Sequence, residues 1–131
     1  MKFRVWDKEL KYLDYDVRVT TTDQYEKIEV LDCFTDWREI EKPEYILMKN
    51  IGLKDKYGQE IYEGDILTDE GVFENDYWDY ARICFDKNYY TYGIVWKDEG
   101  IIESITNCSD YAIAGNIYED KELLDRVEVE E

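Results

Sequence analysis

The sequence offers carboxylates for chemistry but no histidine. Its 131 residues include 33 Asp and Glu and no His. Histidine is the commonest general base and metal ligand, so its absence excludes Ser/His/Asp and Cys/His catalysis. The cysteines Cys33, Cys84 and Cys108 lack C-x-x-C spacing, which argues against a structural zinc site. The motifs G-x-x-x-x-G-K-[ST] and G-x-G-x-x-G, which build the standard phosphate-binding loops, do not occur.

Paired carboxylates are the remaining candidates for catalysis or metal binding. Oxygen ligands for Mg²⁺ or Ca²⁺ could come from Asp65, Asp69, Glu70, Asp98 and Glu99. No EF-hand spacing is present, and a chain with 33 carboxylates forms chance clusters. We therefore predict no catalytic residue, no metal and no cofactor. A small enzyme that uses a carboxylate-bound metal is kept as an alternative.

One segment combines acidic and aromatic side chains and is predicted to bind protein. Its candidate residues are Asp69, Glu70, Phe73, Glu74, Asp76, Tyr77, Trp78, Asp79 and Tyr80. As an interface, the segment would use Trp78 and Tyr77 as anchors and its carboxylates as steering charges for a basic partner. As an ordinary solvated loop, it would fold its aromatic rings back onto the protein. The pattern favours these two interpretations about equally.

Composition predicts an acidic, packed globule. Lys and Arg number 16, the formal net charge is −17 and the pI is about 4.3. High charge is typical of disorder, but 44% hydrophobic and 16% aromatic residues indicate a real core. The charge disfavours direct binding to nucleic acid or to anionic lipid. An odd cysteine count, the lack of a signal-peptide pattern and the lack of an apolar run of ~20 residues predict a cytoplasmic location.

Short strands separated by turns predict one β-rich domain over residues 1–131, a small bent sheet that ends in a short C-terminal helix. We divide it into an N-terminal β lobe (1–45), a barrel-like core (46–118) and a short helix with an acidic tail (119–131). The helix is expected near Glu119–Arg126, with Asp120 as its cap. Trp37 and Ile40, three residues apart, leave their segment open to a helical turn.

The stretch "GLKDKYGQEIYEGDIL" concentrates turn signals, and we interpret it as shaping the sheet. Gly52 is expected to end the preceding strand. Gly58 and Gly64 occupy positions where a positive φ is expected. Asp55 and Asp65 can accept hydrogen bonds from neighbouring backbone N–H groups.

Three segments together resemble the YopX family: "IGLKDKYGQEIYEGDIL", "YGIVW" and "AIAGNIYEDKELL", with "MKFRVWD" at the start. The resemblance implies a small phage or prophage protein whose β-rich fold contains an SH3-like barrel portion, and it implies no mechanism. The residues of the shared structural motif are Gly52, Asp55, Gly58, Ile61, Tyr62, Gly64 and Asp65. Where the family often has Asn-Pro before the final "ELL", this chain has Asp120-Lys121.

The expected function is binding rather than catalysis. We expect a non-catalytic phage or prophage accessory protein that modulates or inhibits a basic, nucleic-acid-binding host protein, such as a defence nuclease or a repressor. Nucleic-acid mimicry is one route. Alternate residues of a strand lie ~6.6 Å apart, so two adjacent acidic rows would carry about one charge per 3.3 Å, close to the ~3.4 Å repeat of a DNA strand. A phage assembly component is a further alternative.

Overall fold

The computed structural model describes residues 2–31, 36–41, 44–71, 79–88, 90–96 and 102–124. Strands dominate this part of the chain, with a curled half-barrel sheet and a short C-terminal helix, so the predicted β-rich class is confirmed. The chain forms two compact units, Met1–Asn50 and Ile51–Glu131. The lobe boundary predicted at residues 45/46 lies five residues before the division between the units.

The first unit is built from antiparallel strands. They are β1 (Phe3–Asp7), β2 (Tyr12–Asp14), β3 (Val17–Thr21), β4 (Glu26–Leu31), β5 (Trp37–Ile40) and the first half of β6 (Tyr45–Lys54). Strand β1 pairs with β2 and with β6. Strands β3, β4 and β5 form a second sheet in sequence order. Strands β1 and β2 therefore form an antiparallel hairpin.

Period-two alternation places one face of these strands in a core. Buried side chains come from both sheets: Val5, Ile28, Val30, Ile40 and Tyr45. Because successive side chains of a strand point to opposite faces, Ile28 and Val30 share the core face of β4 and Glu29 lies on the other face.

The segment around Trp37 is a strand and not a helical turn. Ile40 lies opposite Ile28 and is buried, whereas Trp37 lies opposite Leu31 and is exposed. The guanidinium of Arg18 lies 4.3 Å from the centre of the Trp37 ring. The same guanidinium donates two hydrogen bonds of 3.0 Å to the carboxylate of Glu29. Cross-strand contacts therefore decide this segment, which local spacing left open.

The second unit carries the curled sheet. The strands that begin in this unit are β7 (Glu60–Tyr62), β8 (Asp65–Thr68), β9 (Tyr80–Asp86), β10 (Thr91–Trp96), β11 (Ile102–Ser104) and β12 (Ala112–Asn116). All of them except β7 belong to the curled sheet. Within the described residues, the curled sheet has the antiparallel order β11-β10-β9-β8-β12. Four consecutive strands are thus followed by a fifth that returns beside the first, as the predicted barrel portion requires.

The core of this unit lies on one face of the curled sheet. Its buried residues are Ile61, Leu67, Ala81, Ile83, Ile94, Cys108 and Tyr111. Ile94 lies opposite Ile83 in the β9–β10 pair and is fully buried.

A 3₁₀ helix, Ile105–Asp110, precedes β12 and was not predicted from the sequence. Tertiary contacts hold it beside the sheet. The carboxylate of Glu103 accepts hydrogen bonds from the Trp96 indole (2.7 Å), the Asn107 amide (3.1 Å) and the Tyr111 hydroxyl (2.6 Å). The rings of Trp96 and Tyr111 meet edge to face, 5.0 Å apart. Burial, together with the Glu103 carboxylate, raises the pKa of Tyr111 above its usual value.

One predicted boundary changes. Strand β6 does not end at Gly52 but passes through it with a φ of 83° and continues to Lys54. Glycine adopts this conformation without steric cost, so the strand continues through Gly52. The C-terminal helix α1 is Lys121–Leu124, inside the predicted range, and residues 125–131 lie outside the described part of the chain.

Candidate functional site

The turn between β6 and β7 is organised by the buried carboxylate of Asp55. Its Oδ1 accepts hydrogen bonds from the backbone N–H groups of Tyr57 (2.9 Å) and Gln59 (2.8 Å). Its Oδ2 accepts one from the N–H of Ile113, 58 residues away (3.0 Å). The local bonds confirm the sequence prediction. The hydrogen bond from Ile113 was not indicated by the sequence, and it joins the turn to strand β12.

Gly58 completes this turn and leaves Tyr57 on the surface. Its φ is 84°, as predicted, and its N–H donates to the carbonyl of Asp55 (3.0 Å). A Cβ at Gly58 would meet no atom within 4 Å, so the constraint is the backbone conformation and not space. Tyr57 is 66% exposed. The turn therefore presents an aromatic ring on a fixed backbone.

The turn between β7 and β8 follows the same logic. The Oδ2 of buried Asp65 accepts a hydrogen bond from the N–H of Tyr62 (2.8 Å), and the φ of Gly64 is 87°. The carbonyl of Gly64 accepts a hydrogen bond from the N–H of Ile117 (2.9 Å). The predicted positive φ of Gly64 and the predicted local hydrogen bond of Asp65 are both confirmed. Each of the two turns is hydrogen-bonded to the segment that contains β12, the first through Asp55 and Ile113 and the second through Gly64 and Ile117.

Asp69 lies in the interior, not on the exposed surface to which the sequence assigned it. Its Oδ1 accepts hydrogen bonds from the N–H groups of Gly71 (2.9 Å) and Asp79 (3.0 Å). This carboxylate closes the base of the segment between β8 and β9. A buried carboxylate that is already hydrogen-bonded does not act as a steering charge, so Asp69 positions its neighbours instead.

The residue that Asp69 helps to position is Glu70. Glu70 has a φ of 57°, Gly71 follows with 76°, and the N–H of Glu70 donates to the hydroxyl of Thr68 (3.1 Å). A positive φ at a residue other than glycine is uncommon and needs support from its surroundings. The side chain of Glu70 is consequently held in a defined place at the surface.

Glu70 binds an ammonium group and a phenol of the preceding turn. Lys56 forms a hydrogen-bonded ion pair with Glu70, and the hydroxyl of Tyr57 lies 3.0 and 2.9 Å from the two carboxylate oxygens. The Lys56 ammonium lies 5.1 Å from the centre of the Tyr57 ring, within cation–π range. The Lys56 hydrogen bond holds the pKa of Glu70 below its ordinary value of 4.5 and raises the pKa of Lys56 above 10.5.

We expect Glu70→Gln to lower the melting temperature at neutral pH, and the difference to vanish in acid. The folded pKa of Glu70 is depressed, so its contribution to stability is present above its unfolded pKa and is lost as the pH falls through the folded value. The raised pKa of Lys56 places the second loss at alkaline pH, as the pH rises through its folded value. Melting curves across both ranges measure this. Glu9→Gln, an exposed control, should show no pH-dependent difference in melting temperature from the wild type. Parallel pH profiles for the wild type and Glu70→Gln would contradict the prediction.

An open cleft of about 540 Å³ adjoins this cluster, and we call it the β12 cleft. Tyr57 and Gln59 line it from the first turn, and Thr68, Glu70 and Tyr80 line it from the ends of β8 and β9. Strand β12 contributes Ala112, Ile113 and Ala114. The C-terminal segment contributes Asp120, Glu122 and Leu123. Tyrosine rings and carboxylates thus share one concave surface.

The C-terminal side of the cleft is held by Asp120. Its Oδ2 accepts a hydrogen bond from the N–H of Asn116 (3.0 Å), and its backbone carbonyl accepts one from Leu123 (2.9 Å). A Cβ on Gly115 would lie 2.3 Å from Asp120 Oδ2, so the carboxylate packs where only glycine leaves room. Asp120 was expected to cap α1, and the hydrogen bond found for its carboxylate joins it to Asn116, at the end of β12.

The structure separates the predicted interface residues. Asp69 is buried, Glu70 and Tyr80 line the β12 cleft, and Asp79 is exposed. The other predicted members, Phe73, Glu74, Asp76, Tyr77 and Trp78, lie outside the described residues.

Sequence reasoning missed several residues of the cleft. Tyr57 was treated only as part of a turn, as was Lys56, which pairs with Glu70 beside the cleft, and Glu122 only as part of a helix. The usable signal was Tyr57, a large aromatic ring inside an otherwise polar turn.

Two further statements hold for the described part of the chain alone. In that part of the chain, no group of three or more His, Cys, Asp or Glu side chains is arranged to hold a metal ion. None of the helices found there is long and apolar enough to cross a membrane.

Comparison with known proteins gives a family and a fold. The family model described as YopX protein matches residues 2–125. The chain is similar to the crystal structure of protein EF1440 from Enterococcus faecalis, with a TM-score of 0.61 and 24% sequence identity over 94% of this chain and 96% of that one. At this identity the similarity shows the fold alone. Among curated proteins, none matches the chain.

Proposed function

The chain belongs to the YopX family, and we propose that it is a non-catalytic module that binds a basic, nucleic-acid-binding protein through its second unit. The surface responsible is acidic and aromatic and is centred on the β12 cleft. In the phage or prophage setting that the family resemblance implies, the partner is a host protein of the cytoplasm, and binding modulates or inhibits it.

The observation that carries this proposal is the uneven distribution of charge. Residues 1–50 contain 12 acidic and 9 basic residues, a net charge of −3. Residues 51–131 contain 21 acidic and 7 basic residues, a net charge of −14. The acidity is therefore concentrated in the unit that holds the cleft. A field of one sign over a concave surface attracts and orients partners of the opposite sign.

The aromatic rings of the cleft supply the second requirement for binding. Tyr57 and Tyr80 line it beside Glu70 and Glu122. Tyrosine offers a large contact area with little entropy to lose, and it is enriched among the residues that dominate binding energy. Carboxylates at the edge then contribute mainly to the rate of association.

Mimicry of a nucleic acid by regularly spaced charges on two strands has little support as the way in which the protein binds its partner. Among the described residues of this unit, the acidic residues in the strands of the curled sheet are Asp65, Asp86 and Glu103. Asp65 is buried, and Glu103 is hydrogen-bonded to Trp96 and Tyr111. We therefore base the proposal on an acidic cleft and not on two acidic rows that imitate a DNA strand.

The test neutralises the cleft surface and compares it with an equal change in the first unit. The cleft variant combines Glu70→Gln and Glu122→Gln, at residues that line the cleft, with Asp79→Asn and Glu119→Gln, each next in the chain to a lining residue. The control combines Glu9→Gln, Asp23→Asn, Glu26→Gln and Glu39→Gln. All eight residues are exposed or partly exposed. The partner is first captured from a host lysate at ~0.1 M salt and released at ~1 M, where the Debye length falls from ~10 Å to ~3 Å. Association rates are then measured with the purified partner.

We expect the cleft variant to associate about tenfold more slowly with the partner and to lose most of its salt dependence, since steering charges act on association. The control variant should change the rate less than twofold. Equal slowing in both variants would reduce the effect to net charge, and unchanged rates in the cleft variant would refute the proposed surface.

A further inference from the structure

We infer that Lys56 occupies a binding site for a basic side chain, and that an arginine of the partner replaces it at Glu70. The inference rests on the proposed function, since it specifies which chemistry the β12 cleft receives. An arginine side chain on an extended segment of the partner is the occupant to which the inference commits.

The first support is the cavity beside Glu70. The β12 cleft has a volume of about 540 Å³, within the range of sites that bind small ligands. One side chain and its flanking backbone fit such a volume. Tyr57, Tyr80 and Glu70 line the same cleft, so a cation that enters it meets aromatic rings and a carboxylate together.

The second support is the way in which the chain already binds a cation at this place. The Lys56 ammonium pairs with Glu70 and lies 5.1 Å from the centre of the Tyr57 ring. A carboxylate beside an aromatic face is the arrangement that also suits a guanidinium, which stacks on the ring and offers two parallel donors. Lys56 offers a single point charge and cannot use the two oxygens of Glu70 in this way.

The third support is that the replacement costs little. Lys56 and Glu70 are both partly exposed, and ion pairs at exposed positions contribute little to stability. After its release, Lys56 remains in a unit with a net charge of −14, so other acidic side chains still compensate its positive charge. Glu70 does not need to move, because Thr68 and Asp69 already hold its backbone and that of Gly71.

Two properties of the chain oppose binding by other ligands. The carboxylates of Asp55 and Asp120 already accept backbone hydrogen bonds along β12, at Ile113 and Asn116. These contacts cover the strand edge at two points, which disfavours the addition of a long β-strand by backbone pairing. An anionic ligand would be repelled by Glu70, Asp120 and Glu122.

The experiment titrates the full chain with a short capped peptide that carries one arginine among serines and threonines. The matched peptide has citrulline, which is neutral and of the same shape, in place of arginine. Backbone amide signals of Tyr57, Glu70 and Gly71 report binding at the site by NMR. The variants are Lys56→Met, Glu70→Gln, the double variant and Lys87→Met. The last is a control because Lys87 is exposed in the turn after β9 and its loss changes the net charge equally.

We expect Lys56→Met to bind the arginine peptide about three- to fivefold more tightly than Lys87→Met does, since the site no longer holds its own cation. Glu70→Gln should weaken binding about tenfold. In the double variant, the gain from Lys56→Met should disappear, because the two residues act on one site. The citrulline peptide should not shift the reporter signals.

Three results would overturn the inference. They are equal gains from Lys56→Met and Lys87→Met, a gain that persists without Glu70, and equal binding of the citrulline and arginine peptides. With any of them, slower association of the cleft-neutralised variant with the whole partner would still support the proposed function. If that association is also unchanged, both proposals are wrong.

Discussion

Asp55→Asn is expected to lower the free energy of unfolding by about 3 kcal/mol, although the two side chains have the same shape. Three backbone N–H groups, those of Tyr57, Gln59 and Ile113, donate to the Asp55 carboxylate. An amide keeps one acceptor oxygen and turns an NH₂ group toward donors. Asp55 is buried, so little water is available to accept hydrogen bonds from the backbone N–H groups that lose the carboxylate.

The control for this prediction is Asp110→Asn, which changes the net charge equally at an exposed position. It should change stability by less than about 0.5 kcal/mol. Chemical denaturation of both variants gives the comparison, and Asp55→Asn should melt roughly 10 °C below the wild type. Equal stability of the two variants would show that the turn does not need the carboxylate.

Ile94→Ala is expected to cost about 4 kcal/mol and to be the more damaging of the two changes. Ile94 is fully buried in β10, opposite Ile83, in the core that supports the curled sheet. Its truncation loses hydrophobic contact and leaves a cavity that the rigid strands cannot close.

Ile102→Ala provides the matched control, because it makes the same chemical change on the neighbouring strand β11. Ile102 is 50% exposed, so its truncation should cost less than about 1.5 kcal/mol. Urea denaturation of both variants measures the difference. Similar losses at the two positions would mean that Ile94 is not a main support of the sheet.

Features that depend on neighbours in the chain were predictable. Gly58 and Gly64 have the expected positive φ because the turn chemistry is local. Asp55 and Asp65 accept the expected hydrogen bonds from residues two to four positions away. The strands also follow their alternation of apolar and polar residues, since one face of each must be buried.

Features that depend on distant residues were not predictable in the same way. The strand β5 forms because Ile40 pairs with Ile28 and Trp37 with Leu31, whereas the spacing of Trp37 and Ile40 alone also allows a turn. The 3₁₀ helix is a second example, because the contacts of Glu103 with Trp96 and Tyr111 hold it in place. Local propensity carries no information about such partners.

For function, the sequence by itself determined that the 131 residues include no histidine and that the chain is strongly acidic. It also determined the family resemblance and the positions of the sharp turns. These properties follow from residue type, count and short-range order, which are complete in the sequence.

The tertiary structure alone decided which acidic residues are buried and which reach the surface. Asp69 and Glu70 are adjacent in the chain, yet the first is buried under backbone donors and the second reaches Lys56 and the β12 cleft. Asp55 meets Ile113 across 58 positions and so brings the turn that carries Tyr57 to β12. The cleft depends on these long-range contacts because a concave surface exists only where separate segments are packed together.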